Sequence, residues 1–313
     1  MCTTVSDHEL FASQTNVFSG FQKPFEKADY IILGVPFDMT STYRTGARFG
    51  PNAIRQASLN METYSIRTGI DIEDLAIHDL GDLHVSTDTE KTLQTLECVI
   101  RSILEHHKTP VTLGGEHTIT LGIARAFKEK AEKTAIVTFD AHLDLRDEFL
   151  NQKLSHTTFM RRLNEQVKPA KIIEVGTRAV CKEELAYAKK TDIQIITTQQ
   201  IKKQGTQQTN KQLRKLLEPY KNVYLTVDMD ILDPAYVPAA QNPEPEGLET
   251  TQLLDLLEAT CDYRVNAFDV LEIAPNYDQG ISALQTTKII NELLCLKQKT
   301  KHSQKPRKQK QER

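Results

Sequence analysis

The chain has 313 residues, of which 39 are Lys or Arg and 42 are Asp or Glu, a formal charge of −3. With 39% hydrophobic and 26% charged residues it is composed as a globular protein, and its length suits one large α/β domain or two smaller ones. No apolar run approaches the roughly 18 residues of a membrane span, and the N-terminal MCTTVSDHELFASQ lacks the basic-then-apolar order of a secretory signal. Five scattered cysteines with no CxxC pair argue against a disulfide framework or a zinc ribbon and for a cytoplasmic location.

In chain order, eight short apolar segments read as strands: 30–35, 75–80, 111–114, 135–139, 171–175, 193–196, 223–227 and 265–271. Several are unbroken apolar runs, which suits strands covered on both faces. Helical stretches lie between many of them. Residues 90–106 set Leu93, Leu96, Val99, Ile100, Ile103 and Leu104 near a 3.6-residue repeat, and 119–132, 183–190, 211–218, 250–260 and 286–296 also read as helices. The alternation predicts a mostly parallel eight-stranded sheet with helices on both faces, in one domain over 1–296. The polar segment 202–215 reads as a surface loop. From Lys297 to Arg313 there are eight Lys or Arg and one Glu, a net +7 against −10 for the rest of the chain. With no aliphatic or aromatic residue after Leu296, residues 297–313 are expected to form a basic, disordered tail. Such a tail can touch nucleic acid, but a solvated extension is the simpler expectation.

Three clusters of acidic and imidazole side chains each follow a predicted strand. They are Gly114-Gly115-Glu116-His117, then Asp140-Ala141-His142-Leu143-Asp144, then Asp228-Met229-Asp230 with Asp233-Pro234 beyond. In an open parallel sheet, functional groups gather beyond the carboxyl ends of the strands, so clusters far apart in sequence can share one rim. Asp140, His142 and Asp144 are two apart and in an extended segment point to one side. With Asp228 and Asp230 they bring four carboxylates together, which either raise one another's pKa or require a cation. Four carboxylates with His117 and His142 suit a pair of divalent ions. Oxygen and imidazole donors without thiolate favour Mn²⁺ over a structural zinc.

With these clusters in order, the sequence resembles the ureohydrolase family of arginase, agmatinase, guanidinobutyrase and formimidoylglutamase. Tyr43-Arg44-Thr45-Gly46-Ala47-Arg48-Phe49-Gly50-Pro51, Pro243-Glu244-Pro245-Glu246-Gly247 and Phe268-Asp269-Val270-Leu271-Glu272-Ile273-Ala274-Pro275 extend the resemblance from about Tyr30 to Leu294, with the agmatinase branch nearest. The resemblance implies a three-layer α/β/α arginase-like fold and two Mn²⁺ per chain. One ion would be held by His117, Asp140, Asp144 and Asp228, the other by His142, Asp140, Asp228 and Asp230. It implies that hydroxide shared by the ions attacks the guanidino carbon, that Glu272 pairs with the guanidinium, and that His156 relays protons to the leaving amine. The substrate implied is agmatine, cleaved to putrescine and urea in polyamine biosynthesis. A homo-oligomer, trimer or hexamer, comes with the family.

The substrate leaves alternatives. Arg146 and Gln152 stand where arginases carry the Asn and Ser that hold the amino-acid head. Leu143 replaces a Thr usual in agmatinases, and Ala239-Ala240-Gln241-Asn242 replaces a GTGT-like stretch. Arg146 near the mouth would attract a carboxylate, which keeps arginase and the other guanidino-acid hydrolases in play. A metal- or nucleic-acid-binding protein without catalysis is the alternative of a different class.

Overall fold

Eight parallel strands form the centre of the molecule, in a computed structural model that describes residues 11–13 and 16–303. The strands are β1 (Ala12–Ser13), β2 (Tyr30–Gly34), β3 (Tyr64–Ser65), β4 (Ile70–Asp71), β5 (Ile77–Leu83), β6 (Thr109–Leu113), β7 (Thr134–Phe139), β8 (Lys171–Thr177), β9 (Gln194–Thr197), β10 (Asn222–Asp228) and β11 (Val265–Leu271). The main sheet runs β1-β5-β2-β6-β11-β10-β7-β8-β9, and β3 and β4 form a separate small ladder. Among the described residues, only the two-residue edge strand β1 is antiparallel in the main sheet. The expected parallel sheet is therefore present, with one short strand added at its edge.

Both faces of the sheet are covered, which is why its strands read as unbroken apolar runs. Along β2, Tyr30 and Ile32 join one core with Ile54, Leu213, Leu257 and Leu293, while Ile31 and Leu33 join the other with Leu93, Ile100, Ile123 and Phe159. The first core lies under helices α1 (Gly50–Ser58), α7 (Thr206–Leu217), α8 (Thr250–Thr260) and α9 (Ile281–Ser303). The second lies under α2 (Thr89–Glu105), α3 (Thr120–Arg125) and α4 (Phe159–Gln166). Two further helices, α5 (Lys182–Lys190) and α6 (Thr198–Gln204), complete the three layers. Helix α1 is fastened to β5 by Arg55, which is fully buried. Its Nε and Nη2 donate to the two Asp79 carboxylate oxygens at 2.8 Å each, and its Nη1 donates to Asp82 at 2.5 Å.

Three expectations change. Residues 202–215 are not a loop: they fall in α6 and α7, separated at Gly205, whose φ of 79° breaks the helix. Their polar composition hides a narrow apolar stripe, since Thr209, Leu213 and Leu217 recur every four residues and are buried. The helix expected over 119–132 is divided into α3 and a 3₁₀ turn over Lys128–Lys133. Ala126 and Phe127 already bond three residues back, to Ile123 and Ala124, so the helix tightens and ends there. The tail expected from Lys297 does not start there either, because α9 continues to Ser303. Lys297 is buried and its Nζ donates to the Val265 carbonyl at 2.5 Å, while Lys301 pairs with Asp29 at 2.9 Å. Residues 304–313 of the expected tail lie outside the described residues. No helix among the described residues is long and apolar enough to cross a membrane.

Candidate metal centre

The site stands on the four neighbouring strands β6, β11, β10 and β7, at their carboxyl ends. Beyond β6 the chain passes through Gly114 and Gly115, where the backbone of residues 35–37 is so close that a Cβ on Gly115 would collide with the Phe37 carbonyl. It then turns through a 3₁₀ segment, His117–Ile119, that presents the His117 ring. Asp140 follows β7 directly, Asp228 ends β10, and Glu272 follows β11 directly. Two of the site residues, Asp144 at φ 51° and Glu272 at φ 69°, hold the left-handed backbone that non-glycine residues seldom adopt.

All six candidate ligands come together. His117 Nδ1 lies 3.0 Å from Asp140, 3.3 Å from Asp228 and 3.8 Å from Asp144 carboxylate oxygens. His142 Nδ1 lies 2.9 Å from Asp230 and 3.5 Å from Asp140. Asp140 thus stands between two groups, His117–Asp140–Asp144 and Asp140–His142–Asp230, each with ligand atoms close enough to share one cation. His117, Asp140, Asp144, Asp228 and Asp230 are buried, and the His117 Nδ1 has no hydrogen-bond partner. A buried ring nitrogen aimed at three carboxylates, with no basic side chain among them, is a donor set that fits a divalent cation.

The electrostatics carry the same strain. Burial, then the charges of neighbouring carboxylates, pushes Asp144 and Asp228 well above the ordinary range. Burial also pulls His117 down, but the carboxylates of Asp140, 3.0 Å away, and of nearby Asp144 outweigh this and raise it to about 9. Asp140 is held below the usual carboxylate range: burial works against this, and His117 and His142 overcome it.

Glu272 and His156 lie at the same end of the sheet. Glu272 is buried, its Oε1 accepts the His117 backbone N–H at 2.6 Å, and its Oε2 has no partner. His156 joins His142, Asp144, Asp228 and Asp230 in lining a cleft of about 440 Å³, a volume suited to a small ligand. Its Nε2 is 3.1 Å from Thr42 Oγ1 and its Nδ1 is 3.4 Å from Asn242 Nδ2. Burial, followed by the positive charges of His142 and His117, lowers His156 to about 4. Arg146 also lines the cleft, stacked over Phe149 at 5.0 Å, and no carboxylate of the described residues pairs with it. Glu244 lines the same cleft, 3.7 Å from His142 Nε2.

Several residues that hold the site had no assigned role in the sequence. Glu116 accepts from the Thr40 backbone and hydroxyl at 2.8 and 2.5 Å, and the Thr40 hydroxyl accepts the His156 backbone N–H at 3.0 Å. Arg178 ties the Asp230 turn to the loop at 244–245 by donating to the carbonyls of Asp230, Glu244 and Pro245 at 2.5, 2.8 and 2.8 Å. Glu116 had a signal, an acid inside the Gly-Gly-Glu-His cluster; an arginine that bonds only backbone carbonyls had none.

The model of the Arginase family matches residues 28–295. The chain belongs to the arginase family. Among relatives of this arginase-family chain, the agmatinase of Bacillus subtilis is 35% identical over 282 residues, covering 89% of this chain and 95% of that protein. The N(1)-aminopropylagmatine ureohydrolase of Thermococcus kodakarensis is 36% identical over 273 residues, covering 85% and 89%. The agmatine ureohydrolase of Thermoplasma volcanium superposes with a TM-score of 0.84 at 34% identity, covering 90% of this chain and 94% of that one. This arginase-family member is a ureohydrolase, an enzyme that acts on guanidino substrates.

Proposed function

We propose that the protein hydrolyses agmatine to putrescine and urea at a centre of two Mn²⁺ ions. The observation that carries this reading is the convergence of His117, Asp140, Asp144, Asp228 and Asp230, all buried, with the half-buried His142, around a His117 Nδ1 without a hydrogen-bond partner. His117, Asp140, Asp144 and Asp228 would hold one ion, and His142, Asp140, Asp228 and Asp230 the other. The chemistry such a pair supplies is a water that loses its proton near neutral pH and stabilisation of charge at the reacting carbon.

The remaining work falls to the chain. Glu272 offers its unpartnered Oε2 to a guanidinium N–H, and the Oε1 bond to His117 fixes the carboxylate plane. His156, neutral because it is buried, can take a proton at one ring nitrogen and release one toward the departing amine. The bond that breaks joins the guanidino carbon to the substituted nitrogen; water supplies the new C–O bond and the proton that amine needs. Glu244 on the cleft wall gives the distal ammonium of agmatine an anionic partner. Glu184, which also lines the cleft, is engaged by the backbone N–H groups of Leu145 and Cys181.

Arg146 favours a second reading. A guanidinium in the cleft without a carboxylate partner suits a substrate that ends in a carboxylate, such as 4-guanidinobutyrate. Comparing kcat/KM for agmatine, arginine, 4-guanidinobutyrate and formimidoylglutamate, by urea or formamide release, separates the two. Agmatine is expected to lead. A lead for 4-guanidinobutyrate would install the second reading, and product from none of the four would overturn both.

A further inference from the structure

Behind His117, on the side away from the carboxylates, lies a second buried acid that neither the ligand set nor the substrate contacts use. Asp269 faces Thr226 across the parallel ladder of β10 and β11 and is fully buried. Three hydroxyls converge on it. Thr226 Oγ1 donates to its Oδ1 at 2.5 Å, Thr120 Oγ1 donates to its Oδ2 at 3.2 Å, and the Tyr224 hydroxyl donates to Oδ2 as well. No Lys or Arg among the described residues pairs with it. The Thr226 oxygen also lies 2.8 Å from His117 Nε2. Asp269, Thr226 and His117 thus form one line that ends at Nδ1 among Asp140, Asp144 and Asp228.

We propose that Asp269 is a positioning residue that commits His117 to bind its metal ion through Nδ1. This rests on the two-ion reading above. A threonine hydroxyl has one proton to give, and a carboxylate can only accept. With the Thr226 proton on Asp269, the Thr226 oxygen meets His117 solely as an acceptor, so Nε2 carries the N–H and the lone pair stays on Nδ1. Without Asp269, the Thr226 hydroxyl is free to donate to Nε2. The ring proton then moves to Nδ1, which faces the carboxylates and cannot ligate. The arrangement is a carboxylate–hydroxyl–imidazole line in place of the direct carboxylate–imidazole contact common behind metal-bound histidines. Tyr224 and Thr120 hold the carboxylate so that its Oδ1 remains turned to Thr226.

The test is direct titration of metal-stripped protein with Mn²⁺, reading free Mn²⁺ by electron paramagnetic resonance, for wild type and for Asp269→Leu, Thr226→Val and Thr226→Ser. Asp269→Leu, which leaves Thr226 no acceptor at 269, and Thr226→Val are expected to weaken one of the two ions on the order of 10- to 100-fold, the range typical of residues behind a metal ligand. The other ion, held through His142 and Asp230, should change much less. Thr226→Ser keeps the hydroxyl and should bind within about threefold of wild type. If Asp269→Leu does not fold, the contrast between Thr226→Val and Thr226→Ser decides. Wild-type affinity at both ions in folded Asp269→Leu, or equal losses in Thr226→Val and Thr226→Ser, would overturn the inference alone. A wild-type protein that binds no Mn²⁺ would overturn the two-ion reading and this inference with it.

Discussion

Replacing Glu272 by Gln changes one atom's chemistry at constant shape. In the structure Oε1 accepts the His117 backbone N–H at 2.6 Å, and Oε2 is buried without a partner. The Gln carbonyl can keep the first bond. Its NH₂ then occupies the place of Oε2 and presents a donor to a substrate group that has only donors. The charge-assisted bond is lost, about 1.5–3 kcal/mol, and a buried donor is left unsatisfied, about 1–3 kcal/mol more. Together these come to roughly 2.5–6 kcal/mol, or about 10²- to 10⁴-fold in kcat/KM. Burial and the neighbouring Asp228 already push Glu272 well above the usual carboxylate range, so neutralising it should not unfold the protein. Steady-state urea release from agmatine, with metal analysis of the same sample, is the assay. A variant with full metal content and kcat/KM within threefold of wild type would refute the role of Oε2. Loss of metal would move Glu272 into the ligand set and refute it differently.

Other variants divide the site and the fold in the same way. Asp140→Asn and Asp228→Asn each remove a carboxylate shared by both proposed ions, so elemental analysis should find fewer than two ions per chain and activity should vanish. His156→Ala should keep both ions and lose on the order of 10²- to 10⁴-fold in kcat, with unchanged turnover across pH 7–9 excluding a proton-relay role. Arg55→Met strands Asp79 in the core without its guanidinium, and equilibrium unfolding in denaturant should register a loss of about 3–5 kcal/mol. Truncation after Leu296 removes the Lys297 bond to Val265 and the Gln298 bond to Tyr30, at 2.5 and 2.9 Å, and should cost about 2–4 kcal/mol.

The strands were legible because a sheet covered on both faces demands continuous apolar segments, and 265–271 coincides with β11 to the residue. The six acidic and imidazole candidates were legible because each follows a strand that ends at the same rim. What composition could not reveal was burial of polar residues. Residues 202–215 read as a loop because only Thr209 and Leu213 among them face the core from α7. Lys297 read as tail because a lysine gives no sign that its ammonium will cap a strand carbonyl. Asp269 stood in full view within Phe268-Asp269-Val270-Leu271-Glu272, but its partners Thr226, Thr120 and Tyr224 come from elsewhere in the chain. The register of β10 against β11 brings Thr226 and Tyr224 to it, and the start of α3 brings Thr120.

The most direct measurement follows urea and putrescine as Mn²⁺ is returned to metal-stripped protein in the presence of agmatine. The two products should appear in equal amounts, from a baseline near zero, with activity levelling off at two ions per chain. Urea release that persists without metal, or reaches its full rate at one ion and ignores the second, would contradict a two-ion hydrolase built on His117, Asp140, His142, Asp144, Asp228 and Asp230.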